Sequence, residues 1–80
     1  MRIRYFAGAA QAAGLTEEDV LVGADLSAAA LVAQLGADRE HLARVLAVST
    51  LLVDGRPLHD RSTVVPRGAQ VDVLPPFAGG

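Results

Sequence analysis

"DLSAAALVAQLG", Asp25 to Gly36, is the stretch on which the architecture turns. Ser27 is a good N-cap, because its hydroxyl can accept a hydrogen bond from a backbone N–H of the first turn. Leu31 and Leu35 stand four apart and so share one helical face, and Gly36 is placed to stop the helix. A helix with a single apolar face has to cover something, and the segments on both sides supply it. Upstream, Ile3 and Tyr5 alternate with Arg2, Arg4 and Phe6, which predicts a strand with one core face and one mixed face. "EDVLV", Glu18 to Val22, reads as a second strand. The small-residue connection "AGAAQAAGLTE" between them has room for one short helical turn ended by Gly14.

Downstream, Leu42, Val45 and Leu46 in "REHLARVLA" follow i, i+3, i+4 spacing, which predicts a second helix with Asp38 as its cap. "TLLVDGRPL" gives a strand, an Asp54-Gly55 turn and a return in which Pro57 restricts the segment to a sheet edge. In "STVVPRGAQVDVLPP", Pro66-Arg67-Gly68 makes a turn, and Val71 and Val73 alternate with Gln70 and Asp72 in a last strand. The predicted fold is α+β, a mixed sheet of four to five strands with one main helix across one face and an extended C-terminal tail. Residues 1–74 form the domain and residues 75–80 the tail.

Eighty residues make one domain, small enough to bury only about 60% of its unfolded surface and to have a stability of roughly 4–12 kcal/mol. Apolar residues are 51% of the chain, yet many are alanine, so the core rests on Leu and Val with Ile3, Tyr5 and Phe6. A net charge of −2 and the absence of any basic run exclude nucleic acid as the expected partner. No apolar run reaches membrane-spanning length. The N-terminal "MRIRYFAGAAQAAG" is interrupted by Gln11, and removing it would cost the domain its best strand, so it is not read as a signal peptide. The expected location is cytoplasmic. There is no cysteine, which excludes disulfides, thiolate metal sites and a cysteine nucleophile. All seven basic residues are arginine. Codon bias accounts for that, and so would a need to keep amines away from an electrophile.

Side-chain chemistry is sparse. His41 and His59 have no second imidazole or thiolate at ligand spacing, so no metal site is expected. Glu17-Glu18-Asp19 has no partner group and reads as a solvated turn, and Ser27 reads as a cap rather than a nucleophile. What remains is "LPPFAGG", Leu74 to Gly80. Pro75 and Pro76 fix φ at two residues and remove two backbone donors, so the last strand cannot go on pairing and the chain must leave the sheet extended. Phe77 and Ala78 offer an anchor and a spacer. Gly79 and Gly80 lack Cβ, so a terminal carboxylate can pass down a channel too narrow for other residues. The tail is shaped like a probe.

The chain resembles the ubiquitin-like sulfur carriers, in particular the MoaD family, the small subunit of molybdopterin synthase. The likeness covers nearly the whole length: "IRYFAGAAQAAG" resembles the family's opening strand and turn, and "DLSAAALVAQL" stands where its helix does. "LLVDGRPL" and "VPRGAQVDVLPPFAGG" resemble its later strands and terminus, the proline pair before the diglycine being the more specific sign. The resemblance implies a β-grasp fold and carrier chemistry at Gly80. An ATP-dependent adenylating enzyme of the MoeB/ThiF kind makes an acyl-adenylate, and a sulfur donor turns it into a thiocarboxylate. The synthase's large subunit uses that sulfur to build the dithiolene of molybdopterin, in a hetero-tetramer of two small and two large subunits. No cofactor is held; the thiocarboxylate is a transient modification, and the chain alone is not an enzyme. Pro75 to Gly79 position Gly80, and Phe6 and Leu74, expected opposite the core face of adjacent central strands, form an apolar patch for a partner. Carriers for thiamin, for cysteine or for sulfur-containing natural products share the fold and glycines. A passive β-grasp interaction module or a protein modifier is the alternative outside that chemistry.

Overall fold

The computed structural model describes residues 1–76. Strand β1 (Arg2–Tyr5) keeps the alternation of the sequence, with Ile3 and Tyr5 buried and the arginines on the other face. A six-residue helix, α1 (Gly8–Ala13), follows, and Gly14 ends it at φ 80°, the left-handed conformation in which a side chain would be strained.

Strand β2 occupies Glu17–Asp19, so the expected strand at 18–22 is displaced toward the N-terminus and the acidic triplet is a strand rather than a solvated turn. Pairing explains the shift. β2 runs antiparallel to β1 with Arg2 opposite Asp19 and Arg4 opposite Glu17, and Arg2 binds both Glu17 (2.8 Å) and Asp19 (3.0 Å). The Val20 N–H donates to the Met1 carbonyl at 2.8 Å, and there the partner strand runs out. Leu21, counted on for a strand, is 95% exposed.

The short strand β3 (Leu26–Ser27) runs straight into α2 (Ala28–Gly36). Ser27 Oγ accepts from the Ala30 N–H as its cap, and the Ala28 and Ala29 N–H groups donate to Thr63 and Arg61 carbonyls. The free donors of the first turn are thereby met. Leu31 and Leu35 are buried as expected. Gly36 is the last helical residue, and its lack of a side chain serves packing: a Cβ there would lie 2.9 Å from Ala43 Cβ, on α3 (Glu40–Val48). We expect Gly36→Ala to lower stability by about 1–2 kcal/mol, overpacking outweighing the gain in helix propensity. A denaturant midpoint at or above that of the parent would contradict it.

Asp38 does not cap α3. The cap position is Arg39, which makes no side-chain cap hydrogen bond. The chain reverses within a few residues between two tightly packed helices, which puts Asp38 at φ 58°, a left-handed conformation that Asp tolerates and an N-cap cannot have. Arg39 ties the turn down instead: its Nε donates to the Leu35 carbonyl (2.9 Å) and its Nη1 to Glu18 (3.1 Å). The same Glu18 oxygen accepts from the buried Tyr5 hydroxyl at 2.6 Å. Burial first, and then this bond to a carboxylate, push the Tyr5 phenol well above its usual range. Tyr5→Phe keeps the ring but removes one partner of Glu18, and should cost about 1 kcal/mol in a chemical melt. An unchanged melt would show that Arg39 alone satisfies the carboxylate.

Strands β4 (Thr50–Val53) and β5 (Arg56–Leu58) form the expected hairpin around Asp54 (φ 50°) and Gly55 (φ 83°), both positive as a type I′ turn requires. Strand β6 (Val64–Val65) pairs with β3 in a separate two-stranded sheet. Strand β7 (Gln70–Leu74) completes the main sheet, whose order is β2-β1-β7-β4-β5. β1 and β7 are parallel and the other neighbours antiparallel. The helices cover one face, where Ile3, Leu51, Val71 and Val73 meet Leu31, Leu35, Leu42 and Leu46. Among the described residues no helix covers the other face. The architecture is the expected α+β layer pair with a five-stranded mixed sheet. β5, which carries Pro57, is an edge strand, where a missing N–H costs no ladder bond. Among the described residues no helix is long and apolar enough to cross a membrane.

Candidate functional site

β7 is the middle strand of the sheet, held by β1 on one side and β4 on the other up to its last residue: Leu74 stands opposite Thr50, and the Phe6 N–H donates to the Val73 carbonyl at 3.2 Å. Pro75 follows half-buried and Pro76 exposed. Neither carries an N–H, so pairing stops at Leu74 as the sequence requires. Val73 is thus held from both sides and Leu74 by β4, so Pro75 and Pro76 leave from a fixed point. Phe77, Ala78, Gly79 and Gly80, the remaining tail residues singled out from sequence, lie outside the described residues.

The bare face of the sheet leads up to that point. Side-chain alternation puts Val71 and Val73 in the core and therefore Asp72 and Leu74 on the open face; on β1 it puts Arg4 there, and Phe6, the residue after β1, lies beside Arg4. Phe6 is 41% exposed and Leu74 half-buried, so both expected patch residues sit on the open face beside the tail root, Phe6 just past the end of β1 and Leu74 at the end of its neighbour β7.

One feature of this face was not foreseen. Arg4 grips Asp72 with two parallel hydrogen bonds, Nε to Oδ1 at 2.8 Å and Nη2 to Oδ2 at 2.9 Å. Asp72 is only 6% exposed. Its bond to Arg4 is the chief cause of a rise in the guanidinium pKa above its ordinary value. The Arg4 guanidinium carbon also lies 5.5 Å from the centre of the Phe6 ring, in range of a cation–π contact. The pair links β1 to β7 one step before the exit, and only the parallel register that places Arg4 opposite Asp72 could have revealed it.

The remaining candidates stay apart. His41 and His59 are exposed, on α3 and beyond β5, and among the described residues no three His, Cys, Asp or Glu side chains come together as a metal site would need. A concavity of about 400 Å³ at the β5 edge, lined by Val53, Pro57, Leu58 and Val64 with Arg56 and His59 at its rim, is separated from β7 by β4. Its one hydroxyl, on Thr63, makes no side-chain hydrogen bond to His59 or Asp60, which line it too. What the arrangement can do is hold Pro75 and Pro76 at a fixed place, next to an open face that another protein can cover.

Comparison with known proteins gives the family and the fold. The model of the ThiS family matches residues 3–80. Among curated proteins no sequence matches. Among solved structures the chain is similar to SAMP1 from Haloferax volcanii, at 23% identity and a TM-score of 0.80, covering 100% of this chain and 98% of that one. It is also similar to a provisionally named molybdopterin converting factor, subunit 1, from Pyrococcus furiosus, at 23% identity and a TM-score of 0.81, covering 94% of each chain. A third is the Haloferax volcanii protein HVO 2177, at 27% identity and a TM-score of 0.79, covering 99% of this chain and 84% of that one. These likenesses give the fold as β-grasp, ubiquitin-like.

Proposed function

The chain belongs to the ThiS family of ThiS/MoaD-like, ubiquitin-like sulfur carriers, and we propose that it is a sulfur carrier whose working group is the carboxylate of Gly80, serving as the small subunit of molybdopterin synthase. The observation that carries the reading is the central position of β7: a strand locked between two neighbours runs without a break to Leu74 and delivers Pro75-Pro76 at the sheet margin. A floppy end needs no such anchorage.

A carboxylate is a poor electrophile and must be activated. A Gly80 carboxylate oxygen attacks the α-phosphorus of ATP on an adenylating enzyme and pyrophosphate leaves, giving the acyl-adenylate. The sulfur of a donor then attacks the Gly80 carbonyl carbon, the bond to the phosphate oxygen breaks, and AMP departs with the electron pair. When that sulfur is the outer atom of a donor persulfide, a thiol attacks the donor's inner sulfur of the resulting acyl disulfide, forms a disulfide with the donor and releases the thiocarboxylate, a soft nucleophile. When it has passed its sulfur to the substrate in the large subunit, water restores the carboxylate. This chain supplies no acid, base or metal to these steps. It holds Gly80 at the end of a reach, with Pro75 to Gly79 as spacer and with Phe6 and Leu74 as the apolar part of the surface that the partner covers. The same chemistry in another sulfur pathway is the second reading, since the tail is common to both.

Intact mass after incubation with a cognate adenylating enzyme, ATP and a sulfur donor tests the proposal. The expected result is a gain matching one oxygen replaced by sulfur, located at Gly80 and absent without ATP. No gain with an enzyme competent on its own carrier would refute it. A stable complex with a molybdopterin synthase large subunit is the expected result for pathway, and its absence would favour the second reading.

A further inference from the structure

The composition holds a feature that tail docking leaves unused. An acyl-adenylate at Gly80 is an electrophile toward any amine or thiol it meets. The chain has no lysine among its seven basic residues and no cysteine, so the one primary amine in the sequence is the α-amino group of Met1. An exposed one would be the natural trap for the activated terminus.

The fold withdraws it twice. The Met1 ammonium donates to the Val20 carbonyl at 2.8 Å, and the Met1 carbonyl accepts from the Val20 N–H at 2.8 Å, so the residue is held against the chain beyond β2 by both of its backbone groups. Its side chain packs against the core. The second protection is topological. β1 and β7 are parallel, with Arg2 opposite Gln70 and Tyr5 opposite Val73, so Met1 lies at the end of the sheet where β7 begins and the tail leaves from the other end. Five residues of β7 cover about 16 Å at ~3.3 Å each. Six tail residues span about 20–22 Å at full extension, enough to return over that distance only as a nearly straight chain doubled back along the sheet, a reversal that the proline pair at their start disfavours.

Resting on the carrier reading above, we propose that the chain is inert toward its own activated carboxyl terminus: it neither closes on itself nor links to a second copy, so the acyl group persists until a foreign nucleophile arrives. The excluded reaction is a defined one. An amine nitrogen would bond to the Gly80 carbonyl carbon, the carbon–oxygen bond to the phosphate would break, AMP would leave with the electron pair, and the nitrogen would lose its proton to solvent. The product would be an amide, a ring one water lighter than the monomer or a dimer one water lighter than two monomers.

The test activates the full chain in two ways with no sulfur donor present: with adenylating enzyme, ATP and pyrophosphatase, and as a Gly80 thioester made without any enzyme. Intact mass is followed over time for the parent, for the surface variants Arg44→Lys and Gln11→Lys, and for a chain with a Gly-Ser-Gly extension before Met1. The expected result is a parent that stays monomeric until it hydrolyses, while the lysine variants and the extended chain accumulate dimers or rings. Adducts in the parent at the level of the variants would overturn the proposal. So would variants that stay as clean as the parent, because amine content would then not be what limits self-capture. If no pyrophosphate is released yet the thioester arm behaves as expected, the carrier reading fails and this inference stands.

Discussion

Removing Gly80 should abolish adenylation of the chain while leaving its melting temperature unchanged. The described pairing ends at Leu74, and the core cluster of Ile3, Leu31, Leu46, Leu51 and Val73 is drawn from the residues before Pro75. Loss of the terminal residue therefore removes no packing described in the fold. Its effect on chemistry is large because the tail is a ruler. One residue is about 3.3–3.6 Å of extended chain, and a reacting group misplaced by even about 1 Å loses on the order of a hundredfold in rate. A carboxylate withdrawn by a whole residue, from a root that two neighbouring strands hold still, has no way to recover the distance. Pyrophosphate release and intact mass check the prediction together with a thermal melt. A shortened chain that is activated at the parent's rate would remove Gly80 from the mechanism, and one that unfolds would assign the tail a structural role.

How far the residues disclosed this in advance depended on how local each signal was. Helix α2 was legible because a cap, two leucines four apart and a stop lie within twelve residues of one another, Asp25 to Gly36. The β4–β5 hairpin was legible because Asp54-Gly55 is suited to two successive positive φ angles. Signals that needed a distant partner were not. The C-terminal limit of β2 is set by where β1 begins, which is why Leu21 and Val22 looked like strand and are not paired. Asp38 looked like a cap, but the closeness of α2 to α3, fixed by Gly36 against Ala43, placed it in a left-handed turn. The two-residue strands β3 and β6 are too short to leave a periodic trace. Arg4 and Asp72 are sixty-eight positions apart. At the site, alternation alone was enough to place Phe6 and Leu74 on the open face, whereas the ion pair between them required the register of a parallel contact.

That ion pair sharpens the last prediction, the loss of partner binding when Phe6 and Leu74 are both changed to Asp. A partner that takes in a tail of at most about 22 Å must come close to its root, and the surface there is the open face with Phe6, Leu74 and the Arg4–Asp72 pair. Asp72 has both oxygens met by Arg4, so covering the face leaves no carboxylate oxygen without a partner, but Arg4 Nη1 has no partner among the described residues. The docking surface must therefore provide apolar contact for Phe6 and Leu74 and an acceptor for Arg4, because a buried donor left unmet costs about 1–3 kcal/mol. An aspartate at either apolar position puts an unpaired charge into that contact. We expect about 2 kcal/mol or more per position, on the order of thirtyfold in affinity for each. Phe6 is 41% exposed and Leu74 half-buried, so the double variant should give up only about 1–2 kcal/mol of stability and stay folded. Titration against the adenylating enzyme, with Val64→Asp on the separate β3–β6 sheet as control, measures the effect. Parent-like affinity in a folded double variant would remove this face from the interface; equal losses in the control would mean that added negative charge, and not the lost contact, is what the enzyme resists.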